Sequence, residues 1–182
     1  MSKLAMRRAA ADSLRPALVN VLAPALALVL AGPALAKSTD RNQPMDIGAE
    51  RADAVLTDDG DAHLSGNVVI TQGTLNVNAD DAVVTRKAGE IEQVVLTGGP
   101  ATLSQVNDNG ERMTARAAKI VYTLSTDIIV MTGGVVVNQP RGNLRGEMIK
   151  YDLTTGRLDG GGGGGRVSMR ILPKSTKPAG DN

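Results

Sequence analysis

The stretch Leu64-Ser65-Gly66-Asn67-Val68-Val69-Ile70-Thr71-Gln72-Gly73-Thr74-Leu75-Asn76-Val77-Asn78 decides the fold class. Apolar and polar residues alternate on both sides of the Gln72-Gly73 turn signal, the pattern of two half-buried strands joined by a tight connection. If Leu64 points inward, so do Val68 and Ile70, while Ser65, Asn67 and Thr71 point out. Beyond the turn, Leu75 and Val77 alternate with Asn76 and Asn78.

Working outward, the same short alternating runs recur at residues 94–97, 120–124, 128–131, 135–137 and 167–171. Turn signals separate them at Asp59-Gly60, Gly98-Gly99-Pro100, Asn109-Gly110, Gly133-Gly134 and Thr155-Gly156. Past residue 37 no stretch keeps a helical period for three turns, and residues 115–119 are the nearest, too short, candidate. Strands throughout with tight turns give an all-β sandwich, jelly roll or β-solenoid. A shift of 67 residues lays Gly66 on Gly133, Val68 on Val135, Ile70 on Val137, Gln72 on Gln139 and Asp80 on Glu147. Two similar halves in series resemble a short solenoid or an extended roll.

The ends read differently. Lys3, Arg7, Arg8 and Arg15 precede an apolar run over residues 17–31, and Ala34-Leu35-Ala36 supplies a small-x-small site, so residues 1–36 are expected to be a secretory signal peptide cleaved after Ala36. The apolar run is short for a membrane anchor and is broken by Asn20 and Pro24. The leader carries four of the 20 basic residues and one of the 19 acidic ones, which leaves 16 against 18 in the mature chain. With no basic stripe and no stacking aromatics, nucleic acid is not an expected partner. The glycine run at 160–165 reads as a flexible hairpin loop before the last strand, and residues 173–182 as a disordered polar tail.

Chemistry is hard to place. His63, the single histidine, falls on the polar face of a strand, and no Gly-x-Ser-x-Gly elbow accompanies it. With no cysteine, neither a disulfide nor a zinc site has ligands. Asp58-Asp59 and Asp80-Asp81 adjoin turns or strand ends and read as turn-forming aspartates. An enzyme, a metal site and a cofactor are therefore not expected. What stands out is an aliphatic interior, with no Phe or Trp and only Tyr122 and Tyr151 as aromatics. Parity places Ile120, Tyr122 and Leu124, and in the second half Ile129, Met131, Val135 and Val137, on the inward side. Two facing sheets of such residues enclose a slot about 10 Å across. Such a slot is either a filled core or a groove for acyl chains, and composition does not choose between them. A twelve-carbon chain left in water costs on the order of 10 kcal/mol, so a lipid in transit needs a continuous apolar groove.

Several segments resemble the OstA-like family of periplasmic lipopolysaccharide-export proteins. They are Gln43-Pro44-Met45-Asp46-Ile47, Gly66-Asn67-Val68-Val69-Ile70-Thr71-Gln72-Gly73, Asn78-Ala79-Asp80, Pro100-Ala101-Thr102, Asp108-Asn109-Gly110, and Gly146-Glu147 with Ile149 and Tyr151. They follow family order from about residue 43 to 172, and the domain is expected to span residues 37–172. The resemblance implies a twisted antiparallel β-jelly roll, open at both ends, that binds the lipid A part of lipopolysaccharide. It implies head-to-tail self-stacking between an LptC-like inner-membrane roll and an LptD-like outer-membrane protein. Positions that look matched to the family's lipid path are Met45, Ile47, Val55, Leu64, Leu103, Tyr122 and Leu124, with Leu64 and Leu103 standing where relatives often carry Phe. Unpaired strand edges near Met45 and at 167–171 are the expected contact borders. A structural β-solenoid without lipid cargo and a β-helical polysaccharide enzyme are the rival readings.

Overall fold

A computed structural model describes residues 39–55, 57–162 and 164–173. The signal peptide expected at 1–36 and the tail after Pro173 lie outside the described residues. Ten strands form one antiparallel sheet. They are β1 (Met45–Gly48), β2 (Arg51–Ala54), β3 (Gly60–Gln72), β4 (Leu75–Lys87), β5 (Glu90–Val106), β6 (Arg112–Thr123), β7 (Ile128–Gln139), β8 (Gly142–Asp152), β9 (Leu158–Gly160) and β10 (Ser168–Ile171). The order is β1-β3-β4-β5-β6-β7-β8-β10, with β2 also on β3 and β9 also on β8.

Strands of 11 to 17 residues are long for one layer, and each of the six central ones breaks register in its middle. The breaks fall at Ser65/Val68, Asn78/Asp81, Thr97/Ala101, Arg116/Lys119 and Thr132/Val135, side by side across the sheet. Extra residues bend a strand and raise its twist, so this row is a crease along which one sheet folds into two facing layers. The edge strands obey the same plan. β1 and β2 pair with the two halves of β3, and β10 and β9 with the two halves of β8, so each pair is one strand broken at the crease.

Sequence explains the crease. Gly133 has φ +83, and a Cβ there would lie 2.7 Å from the Ala118 Cβ on the neighbouring strand, so any larger residue meets both backbone strain and a clash. Bulges leave backbone N–H groups without ladder partners, and acidic side chains take them up. Gly99 N–H donates to Asp80 Oδ2 at 2.9 Å and Gly134 N–H to Glu147 Oε2 at 3.5 Å; at the β3 bulge the contact is between side chains, Asn67 Nδ2 donating to the Glu50 carboxylate.

Three expectations change here. Gly98-Gly99-Pro100 and Gly133-Gly134 are bulges inside β5 and β7, and Asp80 caps one of them instead of ending a strand. The 67-residue echo superposes β3-β4 on β7-β8 within one sheet, so the two halves are not coils of a solenoid. The glycine run does not turn a hairpin, because the strands that flank it, β9 and β10, share the partner β8 and lie on opposite sides of the crease. The other turns stand where expected, including Asn107–Glu111, where Asn107 Oδ1 accepts from the N–H groups of Asn109 and Glu111.

Candidate functional site

The inward faces of the two layers form rows that follow the register from edge to edge. In the layer that holds β1 and β10, one row is Ile47, Ile70, Val77, Leu103, Ala115, Val137, Leu144 and Met169. In the opposite layer, Leu64, Ala82, Leu96, Ile120, Met131 and Ile149 form a second, and Ala62, Val84, Val94, Tyr122, Ile129, Tyr151 and Leu158 a third. No carboxylate, ammonium or guanidinium interrupts them. At about 4.8 Å per strand, seven steps make a track of roughly 34 Å.

Along the middle of the track the side chains close on one another: Leu96, Leu103, Ile120, Ile129, Met131 and Ile149 are almost fully buried. Space opens at the ends. A cavity of about 320 Å³ beside β10 is lined by Val137, Leu144, Leu158, Met169 and Ile171, with Arg141 and Arg170 at its rim. At the β1 end, Met45, Ile91 and Leu124 face a wider depression of about 950 Å³ rimmed by Lys87, Glu90 and Glu92.

Opposite the crease, the hairpin turns of the two layers meet in a mouth, where every buried polar residue among those described is gathered: Asp40, Gln72 and Gln105. Two relays cross it. Tyr122 OH donates to Gln72 Oε1 at 3.4 Å, and Gln72 Nε2 donates to the carbonyls of Arg41 and Gln43 at 3.4 and 3.3 Å. Tyr151 OH donates to Gln105 Oε1 at 3.0 Å, and Gln105 Nε2 reaches Asp40 Oδ2 at 3.5 Å. Both end on the short 3-10 turn Asp40–Asn42, which lies between the layers. Thr74 donates to the Asp40 carboxylate from one side. On the other, Arg41 Nη1 lies 2.8 Å from both Asp127 Oδ2 and Thr154 Oγ1. Burial pushes the Tyr122 phenol up to about 12, with the Asp127 carboxylate adding to the shift and Arg41 opposing it. Burial, then Asp152 and Asp40, pushes Tyr151 up to about 12. Both phenols are neutral donors near pH 7. Asp152 is held below the usual carboxylate range, chiefly by the backbone N–H of Thr155.

Of the residues expected to face the slot, Val68, Ile70, Leu75, Val77, Leu103, Ile120, Tyr122, Ile129 and Met131 are buried in one core, and Met45, Ile47, Leu64 and Leu124 pack against it. Leu124 does so from a 3-10 turn and not from the strand expected there. Val55 does not belong: β2 ends at Ala54, and Val55 sits in the following loop, 58% exposed. His63 is exposed on β3. Sequence reading missed Val84, Val94, Leu96, Met113, Ala115, Leu144, Ile149 and Tyr151 as core-facing residues, and it missed the mouth relays entirely.

A family sequence profile described as "LptA/(LptD N-terminal domain) LPS transport protein" matches residues 46–157. The chain is 33% identical over 158 residues to the lipopolysaccharide export system protein LptA of Escherichia coli K12, covering 85% of each chain. It is 31% identical over 150 residues to LptA of Haemophilus influenzae, covering 80% of this chain and 87% of that one. The crystal structure of LptH, the LptA homologous periplasmic component of the lipopolysaccharide transport device of Pseudomonas aeruginosa, superposes with a TM-score of 0.67 at 27% identity, over 74% of this chain and 99% of that one.

Proposed function

Because the chain belongs to the LptA and LptD N-terminal domain family of lipopolysaccharide transport proteins, we propose that it is a periplasmic bridge module that holds the acyl chains of lipopolysaccharide between its two layers and passes them along a head-to-tail stack. The observation that carries this reading is the set of apolar rows running without a charge from one unpaired edge to the other. Burying tails along such a track recovers about 0.8 kcal/mol per CH₂ that water withholds. Since the middle of the track is closed by its own side chains, tails enter by parting the layers.

The edges support stacking. Met169 and Ile171 on β10 are 66% and 73% exposed, and β10 has a partner on one side only. Eight strand positions alternate in direction from β1 to β10, so a second copy's β1 continues the antiparallel order on β10. Extending the rows sets Ile47 of that copy beside Met169 and Met45 beside Ile171 on the inside, and Asp46 beside Arg170 on the outside. Unlike edges that do not close make a filament. An LptC-like roll at one end and an LptD-like protein at the other use the same borders.

Photo-crosslinkers at Leu103 and Ile120, with Asn138 as an outward control, test the cargo. Lipopolysaccharide adducts at the first two and not the third are expected. Adducts at the control alone would reject the groove and leave a stacking module without cargo. For the stack, Asp46→Arg is expected to abolish association by light scattering. Mixing it with Arg170→Asp should restore association, because both junctions between unlike copies then set an arginine beside an aspartate, while junctions between like copies repel.

A further inference from the structure

The mouth holds polar groups that an acyl groove has no use for, and they are occupied in a particular way. Gln72 and Gln105 present amide donors into the seam, and what they meet is the two backbone carbonyls and one carboxylate of segment 40–43. We propose that this seam is the subsite for the carbonyl-bearing belt of an acylated lipid, the amide and ester groups that join its tails to its head. The Asp40–Asn42 turn occupies this seam as an intramolecular stand-in. The proposal rests on the lipid-carrier reading and adds to it a polar subsite and a built-in competitor.

Four observations support it. The seam is the one boundary between the layers made of side chains; the opposite boundary is continuous backbone at the crease. Tails that lie in the rows place their head-proximal carbonyls at this boundary, since the crease is closed. The contacts from the glutamine amides to the turn are 3.3 to 3.5 Å long, at the weak end for such bonds, so an exchange of acceptors loses little. Finally, the turn spans only three residues, and the partly exposed Arg41 ties its side chain to Asp127 and Thr154 in the turns of the far layer. Departure of the turn frees both glutamine amide N–H donors together and removes one of the ties between the layers, leaving the two tyrosine–glutamine hydrogen bonds. Lipid and turn therefore compete for one place, and the apparent affinity for lipid is the intrinsic affinity reduced by the fraction of molecules whose turn is out.

The absence of cysteine makes a clean test possible. An Arg41→Cys/Asp127→Cys variant is prepared in two forms, one bridged by a short bismaleimide and one capped at both thiols with N-ethylmaleimide. Binding of hexa-acylated lipid A is measured on both, on the wild type and on Arg41→Ala. Expected are a loss of at least about tenfold in the bridged form relative to the capped one, and a gain of several-fold for Arg41→Ala. In the Arg41→Ala background, Gln105→Leu should weaken binding several-fold, because only the lipid is then left to use that amide. Equal binding by the bridged and capped forms, or weaker binding by Arg41→Ala, overturns the proposal. If the wild type, the capped form and Arg41→Ala all fail to take up lipid A, the carrier reading itself has failed and the subsite falls with it.

Discussion

The crease and the mouth are the two boundaries between the layers, and they are built from opposite materials. At the crease the chain itself crosses six times through bulges, glycines tolerate the close approach, and carboxylates cap the exposed N–H groups. At the mouth nothing covalent crosses among the described residues of the central strands; two phenols, two amides and a three-residue turn join the layers. One boundary is a hinge and the other a clasp. Two layers with a covalent hinge and a hydrogen-bonded clasp can part in only one direction, and that direction exposes the apolar rows.

The strongest way to break this contrast is at the hinge. Gly133→Val adds a β-branched side chain at φ +83 against Ala118 and should destabilise the roll by about 3 kcal/mol or more, read from the urea midpoint. A loss below 1 kcal/mol would mean that the crease is adaptable and not a fixed hinge.

The clasp can be loosened by pH without mutation. Both phenols titrate higher folded than unfolded, at about 12 against 10.0. A raised folded value means that their contribution is complete below pH 10 and disappears as pH rises through about 12. Two units correspond to roughly 2.7 kcal/mol per group at the upper limit. Urea midpoints between pH 9 and 12 should therefore fall more steeply for the wild type than for a Tyr122→Phe/Tyr151→Phe variant; parallel curves would remove the tyrosines from the account. At neutral pH, Tyr151→Phe leaves Gln105 Oε1 without its 3.0 Å donor and should cost about 1–2 kcal/mol while the roll persists.

The two boundaries also differ in how far the sequence discloses them. Alternation over residues 64–70 and 128–137 placed Leu64, Val68, Ile70, Ile129, Met131, Val135 and Val137 on one face, and the structure does the same, because β3 and β7 cross the crease over an even number of positions. In β4, β5, β6 and β8 the inward residues on either side of the crease are an odd number apart, as at Ala79 and Ala82 or Leu96 and Ala101, so simple alternation loses the face halfway along. That is why Val94 and Leu96 are legible as strand residues and not as part of one lining, while Val84 on β4 falls outside every run that alternation marks. Glycine pairs mark the crease plainly, but a bulge and a hairpin turn draw on the same residues. The clasp left hardly a trace. Gln72 beside Gly73 reads as a strand end, and only the fold brings it to Tyr122, fifty positions away.

The smallest effect separates two causes that Gly133→Val combines. Gly164 has φ +76, close to the +83 of Gly133, but a Cβ at Gly164 meets nothing within 4 Å. Alanine at each position therefore imposes nearly the same left-handed strain, and only Gly133→Ala adds a steric collision. Gly164→Ala should cost about 1 kcal/mol. That cost should be confined to β10, visible as faster amide exchange at residues 168–171 with an unchanged global unfolding midpoint. The central strands cross the crease in a crowded sheet, whereas the trailing edge crosses it on seven residues, 161–167, set against three, 146–148, on β8. If Gly164→Ala lowered the global midpoint as much as Gly133→Ala, the glycine run would be as rigid a part of the hinge as the central bulges. The edge strand would then have no freedom to adjust to a docking neighbour.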